Sequence, residues 1–216
     1  MDLAVVIPAI DKNRYHEDGD LAPFGDTTLL EWKISQCKEF VDESMIYISS
    51  NCESIKDIAN KENVNYIERG EDSDYSSIIF NSAKSISQST ILWTNPTSPF
   101  LGYLDYKMMI EEFAKLDVND SLLSVREKKD FVFFDNNRLN FSTQLSSREK
   151  IKPIQIVTNG CYIINKSDLT KYKSLYGEKP FLYKLDTLSS IEIKDLDSYE
   201  ISKELISSYF KRDLDV

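Results

Sequence analysis

From Leu3 to Val125 the chain alternates short apolar runs rich in β-branched residues with longer stretches of helical periodicity, and that rhythm admits few folds. Leu3-Ala4-Val5-Val6-Ile7 is unbroken in its hydrophobicity, the pattern of a strand buried on both faces, and Pro8 ends it. Strands are expected again at Ser44–Ser49, Asn65–Glu68, Thr90–Thr94 and Ser121–Val125. Helices are expected between them, over about 28–40, 52–62, 74–87 and 104–116. Short strands alternating with helices in this way indicate βαβ units joined by right-handed crossovers. The chain is therefore predicted to be α/β, a doubly wound, mostly parallel sheet with helices on both faces. Ligands of such sheets collect beyond the carboxyl ends of the strands, which here means the loops after Ile7, Glu68 and Thr94.

After Glu127 the rhythm changes. Asp130–Asp135 and Arg138–Phe141 flank Asn136-Asn137 and predict a hairpin, set within an insertion spanning residues 127–157. Phe131, Phe133, Phe134 and Phe141 cannot bury themselves in so short an element, so the hairpin is expected to pack on the domain or between subunits. Strand character resumes at Ile154–Val157 and Cys161–Ile164, around Asn159-Gly160. A helical turn is expected at Leu169–Tyr172, an extended segment at Pro180–Leu185 and a strand at Ile191–Ile193. The closing helix covers Ser198–Phe210, with Ser198 or Asp197 as its cap. No repeat, linker or low-complexity stretch divides the chain, and its 216 residues read as one domain able to bury a core without disulfides.

Charge narrows the function. Lys plus Arg number 26 against 36 for Asp plus Glu, a formal net charge of -10, which disfavours nucleic-acid binding because backbone recognition requires concentrated positive charge. Cys37, Cys52 and Cys161 are an odd number without metal-ligand spacing and read as free thiols. His16 is the single histidine, which leaves a transition-metal site without a second imidazole. There is no leader-like apolar stretch and no run long enough for a membrane span, so a cytoplasmic location is expected.

Four separated segments carry a resemblance. They are Ala4-Val5-Val6-Ile7-Pro8-Ala9 continued at Leu21–Trp32; the Arg69-Gly70 turn with Asp74; Asn95-Pro96-Thr97-Ser98-Pro99 with the strand 120–125; and Asn159-Gly160-Cys161-Tyr162-Ile163 with Asp195-Leu196-Asp197-Ser198. In this order they resemble the acylneuraminate cytidylyltransferases, the CMP-sialic acid synthetases and their relatives acting on ketodeoxy sugar acids. The resemblance implies a Rossmann-like nucleotidyltransferase fold, a homodimer in which the hairpin reaches the partner, and a reaction. CTP and an acidic sugar would give CMP-sugar and pyrophosphate, with Mg²⁺ neutralising the charge that develops. It also assigns Pro8, Ala9, Lys12, Arg14, Arg69 and Asn95 to the nucleotide, and Arg148 and Asn159 to the sugar. Asp195 and Asp197 would hold the metal, with Arg14 and Asp197 catalytic.

The first loop departs from the family. Where the family has an Arg after Ile-Pro-Ala this chain has Ile10, its Lys position is Arg14, and a later basic pair falls on Asp18 and Gly19, with Asp20 next. Glu17, Asp18 and Asp20 would then cancel the charge of Lys12, Arg14 and His16. Two readings follow: a divergent working enzyme using Arg14 at the triphosphate, or a homologue that binds a nucleotide or partner without turnover. Individual residues also leave alternatives. Two carboxylates two apart on extended backbone share a side and suit a hard cation, whereas either Asp197 or Ser198 also suits a helix cap. Arg69 either faces a ligand or pairs with Glu71 or Asp72 on the surface.

Overall fold

All six residues of the first strand, β1 (Leu3–Pro8), are buried, as the unbroken apolar run requires. The computed structural model describes residues 1–70, 74–144 and 147–213. A short hairpin follows β1, formed by β2 (Pro23–Phe24) and β3 (Thr27–Thr28), and leads into α1 (Leu29–Lys38). Next come β4 (Ile46–Ser50), α2 (Glu53–Lys61), β5 (Asn65–Glu68), α3 (Tyr75–Ser85), β6 (Thr90–Trp93), α4 (Tyr103–Phe113) and β7 (Ser121–Lys128). After an arm bearing β8 (Phe133–Phe134) and β9 (Asn137–Arg138), the chain forms β10 (Ile154–Asn165), α5 (Lys166–Tyr172), β11 (Pro180–Lys184) and α6 (Leu196–Asp213).

Among the described residues seven strands form one sheet in the order β11-β7-β10-β6-β1-β4-β5. β1 pairs in parallel with β4 and β6, β4 with β5, and β7 with β11; only β10 runs against its neighbours β6 and β7. Successive residues of β1 serve opposite layers. Val5 and Ile7 pack with Leu30 and Ile34 of α1, Ile55 of α2 and Met109 of α4, while Ala4 and Val6 pack with Ile79 of α3 and Leu169 of α5. The sheet is therefore doubly wound, as expected.

Helix starts follow local chemistry. Thr28 and Glu31 form a reciprocal capping box on α1, and Asp74 accepts from the Ser77 amide at 3.0 Å to cap α3. Three expectations need correction. The segments 154–157 and 161–164, read as two stretches of strand, belong to one antiparallel strand with a register shift between Val157 and Tyr162. Ile191–Ile193 forms no strand, because Ile193 points into a third core cluster with Tyr15, Phe24 and Tyr199 and its amide bonds only the Thr97 carbonyl, at 2.8 Å. The hairpin turn is centred on Asp135-Asn136, whose φ values of 48° and 62° suit a two-residue turn, and its strands are only two residues each. Phe141 packs edge-on to Phe131 and Phe133, yet Phe133, Phe134 and Leu139 remain exposed.

Candidate functional site

From β1 the chain winds outward through β4 to β5, then crosses back so that β6 takes the opposite edge of β1. A crevice opens at such a reversal of strand order. Four segments converge on it: the loop after β1, the loop after β6, the irregular stretch of β10 at Asn159-Gly160, and the residues leading into α6.

The first loop is folded around a buried carboxylate. Asp20 is 4% exposed, accepts from the Ile10 amide at 2.8 Å and the Tyr15 hydroxyl at 2.6 Å, and returns its own amide to the Ile10 carbonyl. Burial pushes its pKa up to about 6, against the opposing effect of these bonds and of Arg69. The expectation that Asp20 cancels the positive charge of Lys12, Arg14 and His16 is thus corrected: its carboxyl is internal, and its hydrogen bonds organise the loop. Gly19 is there for the backbone. Its φ is +54°, and a Cβ would lie 2.4 Å from the Ile10 carbonyl oxygen and 2.5 Å from the Lys12 amide. Glu17 and Asp18 are exposed, and the Asp18 amide donates to His16 Nδ1 at 3.1 Å. Tyr15 stacks on Tyr199, which docks the loop against α6.

Beneath the loop after β6 lies a polar network. Lys33 of α1 is fully buried and donates to the Ser98 carbonyl at 2.8 Å and to the Tyr106 hydroxyl at 2.9 Å. Burial lowers its pKa to about 8. The Tyr106 hydroxyl meets Thr94 Oγ1 at 2.7 Å, and Thr94 donates to the Gly160 carbonyl at 2.7 Å. The loop after β6 and the irregular stretch of β10 are therefore fixed to each other and to α1 through buried donors.

Two pockets open on either side of Asn159. One, of about 530 Å³, is lined by Asn13, Arg14, Tyr15, Thr97, Asn159 and the segment Glu192–Lys194. The other, of about 490 Å³, is lined by Tyr75, Asn95, Asn159, Tyr162, Tyr176 and neighbouring residues. The ridge between them is rigid. Asn95 donates to the Asn159 carbonyl at 2.9 Å, Tyr162 donates to Asn159 Oδ1 at 2.8 Å, and Asn159 Nδ2 donates to Glu192 at 2.6 Å. Glu192 is buried, and its second oxygen lies 2.9 Å from Lys194 Nζ, off the line a hydrogen bond would take.

The sequence-derived residues divide accordingly. Arg14 and Asn159 line the same pocket, and Asn95 lines its neighbour across the ridge. Pro8 and Ala9 are buried, with the Ala9 amide bonded to the Ser49 carbonyl at 3.0 Å, so they carry the loop without lining either pocket. Lys12 is exposed and lines neither. Arg69 turns inward, donating from Nε to Ser49 Oγ at 3.1 Å, and burial lowers its pKa while Asp20 opposes the shift. Its alternative partners Glu71 and Asp72 fall outside the described residues. Arg148 stands on the arm, 3.8 Å from Asp130, and lines neither pocket. Glu192, Lys194 and the tyrosines are site residues that the sequence reading missed. Glu192 sits between Ile191 and Ile193, where it reads as the outward residue of a strand, and only tertiary packing buries it.

The expected metal pair is arranged differently from an extended strand. Asp195 precedes α6 and caps it, its Oδ1 accepting from the Ser198 amide at 2.8 Å and hydroxyl at 2.6 Å. These bonds, with Arg14 nearby, hold its carboxyl below the usual range. Asp197 lies exposed in the first helical turn. One oxygen of Asp195 is committed to the cap, the pair does not project from one side of an extended backbone, and neither residue lines the pocket. The donor set does not fit a cation held between them.

No model of a known protein family matches the chain, and no curated protein matches it in sequence. Solved structures do match. A 4-diphosphocytidyl-2C-methyl-D-erythritol synthase from Anaerococcus prevotii aligns over 95% of this chain and 98% of its own, with a TM-score of 0.71 at 14% identity. CMP:2-keto-3-deoxy-manno-octonic acid synthetase, complexed with CTP, aligns over 97% and 100%, with a TM-score of 0.73 at 10% identity. A cytidylyltransferase from Leptospira borgpetersenii aligns over 96% and 87%, with a TM-score of 0.67 at 17% identity. The chain has the cytidylyltransferase fold. At these identities the likeness is one of architecture, and it extends over nearly all of the chain. Among the described residues no helix is long and apolar enough to cross a membrane.

Proposed function

We propose that this chain is a cytoplasmic cytidylyltransferase that activates an acidic sugar with CTP. The observation that carries the reading is the pocket at the β1–β6 reversal, where Arg14 and Asn159, from segments nearly 150 residues apart, line one wall-to-wall space. In the reaction the sugar's anomeric hydroxyl attacks the α-phosphorus, the bond to the β-phosphoryl oxygen breaks, and pyrophosphate leaves. Arg14 faces the phosphates and offsets the charge on the departing group, while the Asn95–Asn159–Glu192 ridge orients the reactants. Such chemistry depends mainly on positioning and on preorganised charge.

The arm completes the reading. Exposed Phe133, Phe134 and Leu139 suit a homodimer contact, and dimerisation would present Arg148 to the sugar in the partner's site. Incubating the protein with CTP, Mg²⁺ and a panel of nonulosonic and octulosonic acids, and following pyrophosphate release, tests the activity. Turnover on one of these acids is expected. Calorimetric CTP binding without turnover on any of them would point instead to a nucleotide-binding homologue, and no CTP binding would overturn the reading.

A further inference from the structure

The pocket containing Arg14 supplies its own positive charge. Lys194 is its second cation, and the only carboxylate that lines it among the described residues, Glu192, already lies 2.9 Å from the Lys194 ammonium. The two side chains differ in depth: Glu192 is 3% exposed and Lys194 44%, so the carboxylate forms the floor and the ammonium stands outward of it. Asn159 fixes the other oxygen of Glu192 with its amide group and its backbone N–H, at 2.6 and 3.2 Å. The fixed carboxylate thereby places a negative charge beside Lys194 at the mouth of the pocket. Its own amide donates to Ser198 Oγ at 2.8 Å, which anchors the backbone at the start of α6.

A divalent cation is poorly served by the same surroundings. Asp195 is occupied as a helix cap and feels the field of Arg14, and Asp197 is outside the pocket lining. An ion placed against Glu192 would also meet the Lys194 ammonium at close range, which offsets the carboxylate's attraction for it. A phosphate chain meets no such opposition. Guanidinium binds it through paired N–H donors and ammonium as a point charge, with Asn13 and Thr97 in the same lining.

Resting on the reading of this pocket as a phosphate site, we propose that it binds a diphosphate or triphosphate directly through Arg14 and Lys194, without a divalent ion held by Asp195 and Asp197. The test is calorimetric titration of the whole chain with pyrophosphate, then CTP, each in excess Mg²⁺ and in EDTA. Pyrophosphate is expected to bind in EDTA about as tightly as in Mg²⁺. Lys194→Gln should weaken it roughly ten- to a hundredfold, the effect of one hydrogen bond to a charged group, and Lys194→Arg should recover most of the loss. A melting curve for each variant separates lost binding from lost folding. Binding that requires Mg²⁺, an unaltered affinity in folded Lys194→Gln, or no pyrophosphate binding in either buffer would each overturn the proposal. Pyrophosphate binding in EDTA combined with no response to CTP would leave it standing while removing the cytidylyl reading.

Discussion

Replacing Asp20 with asparagine is expected to stabilise the protein at neutral pH, although a buried residue with two short hydrogen bonds is usually damaged by substitution. The reason is the carboxyl pKa, about 6 in the folded loop against 3.8 ordinarily, with burial the dominant cause. Between those values the folded chain retains a proton that the unfolded chain has released, so stability falls as pH rises through the window. At 1.36 kcal/mol per unit, the ionised form costs folding up to about 3 kcal/mol above pH 6. Asparagine removes that cost. Its oxygen can take the Ile10 N–H, and its amide group can donate to the Tyr15 oxygen in place of the bond Tyr15 now gives. The Tyr15 proton then lacks an acceptor, a loss of about 1–3 kcal/mol, which leaves a net gain of at most about 2 kcal/mol at pH 8. Urea unfolding of both proteins from pH 4.5 to pH 8 measures it. The gain should shrink toward the acid end as the native carboxyl becomes protonated. A pH-independent difference, or a less stable variant at pH 8, would refute the argument that burial of an ionised Asp20 strains the loop.

Three other outcomes are expected. Gly19→Ala forces a Cβ to within 2.4 Å of the Ile10 carbonyl at positive φ and should cost about 1–3 kcal/mol in urea unfolding, with weaker CTP binding from a displaced loop. Thr94→Val leaves the Gly160 carbonyl without its buried donor and should lower stability by about 1–3 kcal/mol, measured by chemical denaturation. The unaltered protein is expected to sediment as a dimer at micromolar concentration, and Phe134→Asp, on the exposed tip of the arm, as a monomer.

The centre of the sheet was legible because β1 and β6 are buried along their whole length and write themselves as largely apolar runs. β5 falls on Asn65–Glu68 as expected, and Asp74 announces α3 because a side-chain acceptor is needed where the helix has free amides. Strand direction leaves no such trace. Alternation in 154–164 is equally compatible with either sense, so the antiparallel course of β10 emerges only from pairing. Lys33 was partly readable: it lies on the Leu30–Ile34–Cys37 stripe, and a lysine there must find acceptors inside the protein. The site divides in the same manner. Arg14 and Asn159 stood out through the family resemblance, whereas the bonds that join Asn95, Asn159 and Glu192 link residues 64 and 33 apart in sequence and emerge only from the fold.

The position of β7 has a consequence for how the chain is made. Its two neighbours in the sheet, β10 and β11, both come later in the sequence, and the whole arm is synthesised before either. Emerging from the ribosome, Ser121–Val125 is thus an apolar strand with both edges open, while the earlier strands β1, β4, β5 and β6 already have partners among themselves. Open apolar edges pair with whatever strand is at hand, including that of another nascent chain. Nonsense mutations within the arm are therefore expected to yield polypeptides that aggregate through β7 and burden the chaperones, rather than inert fragments.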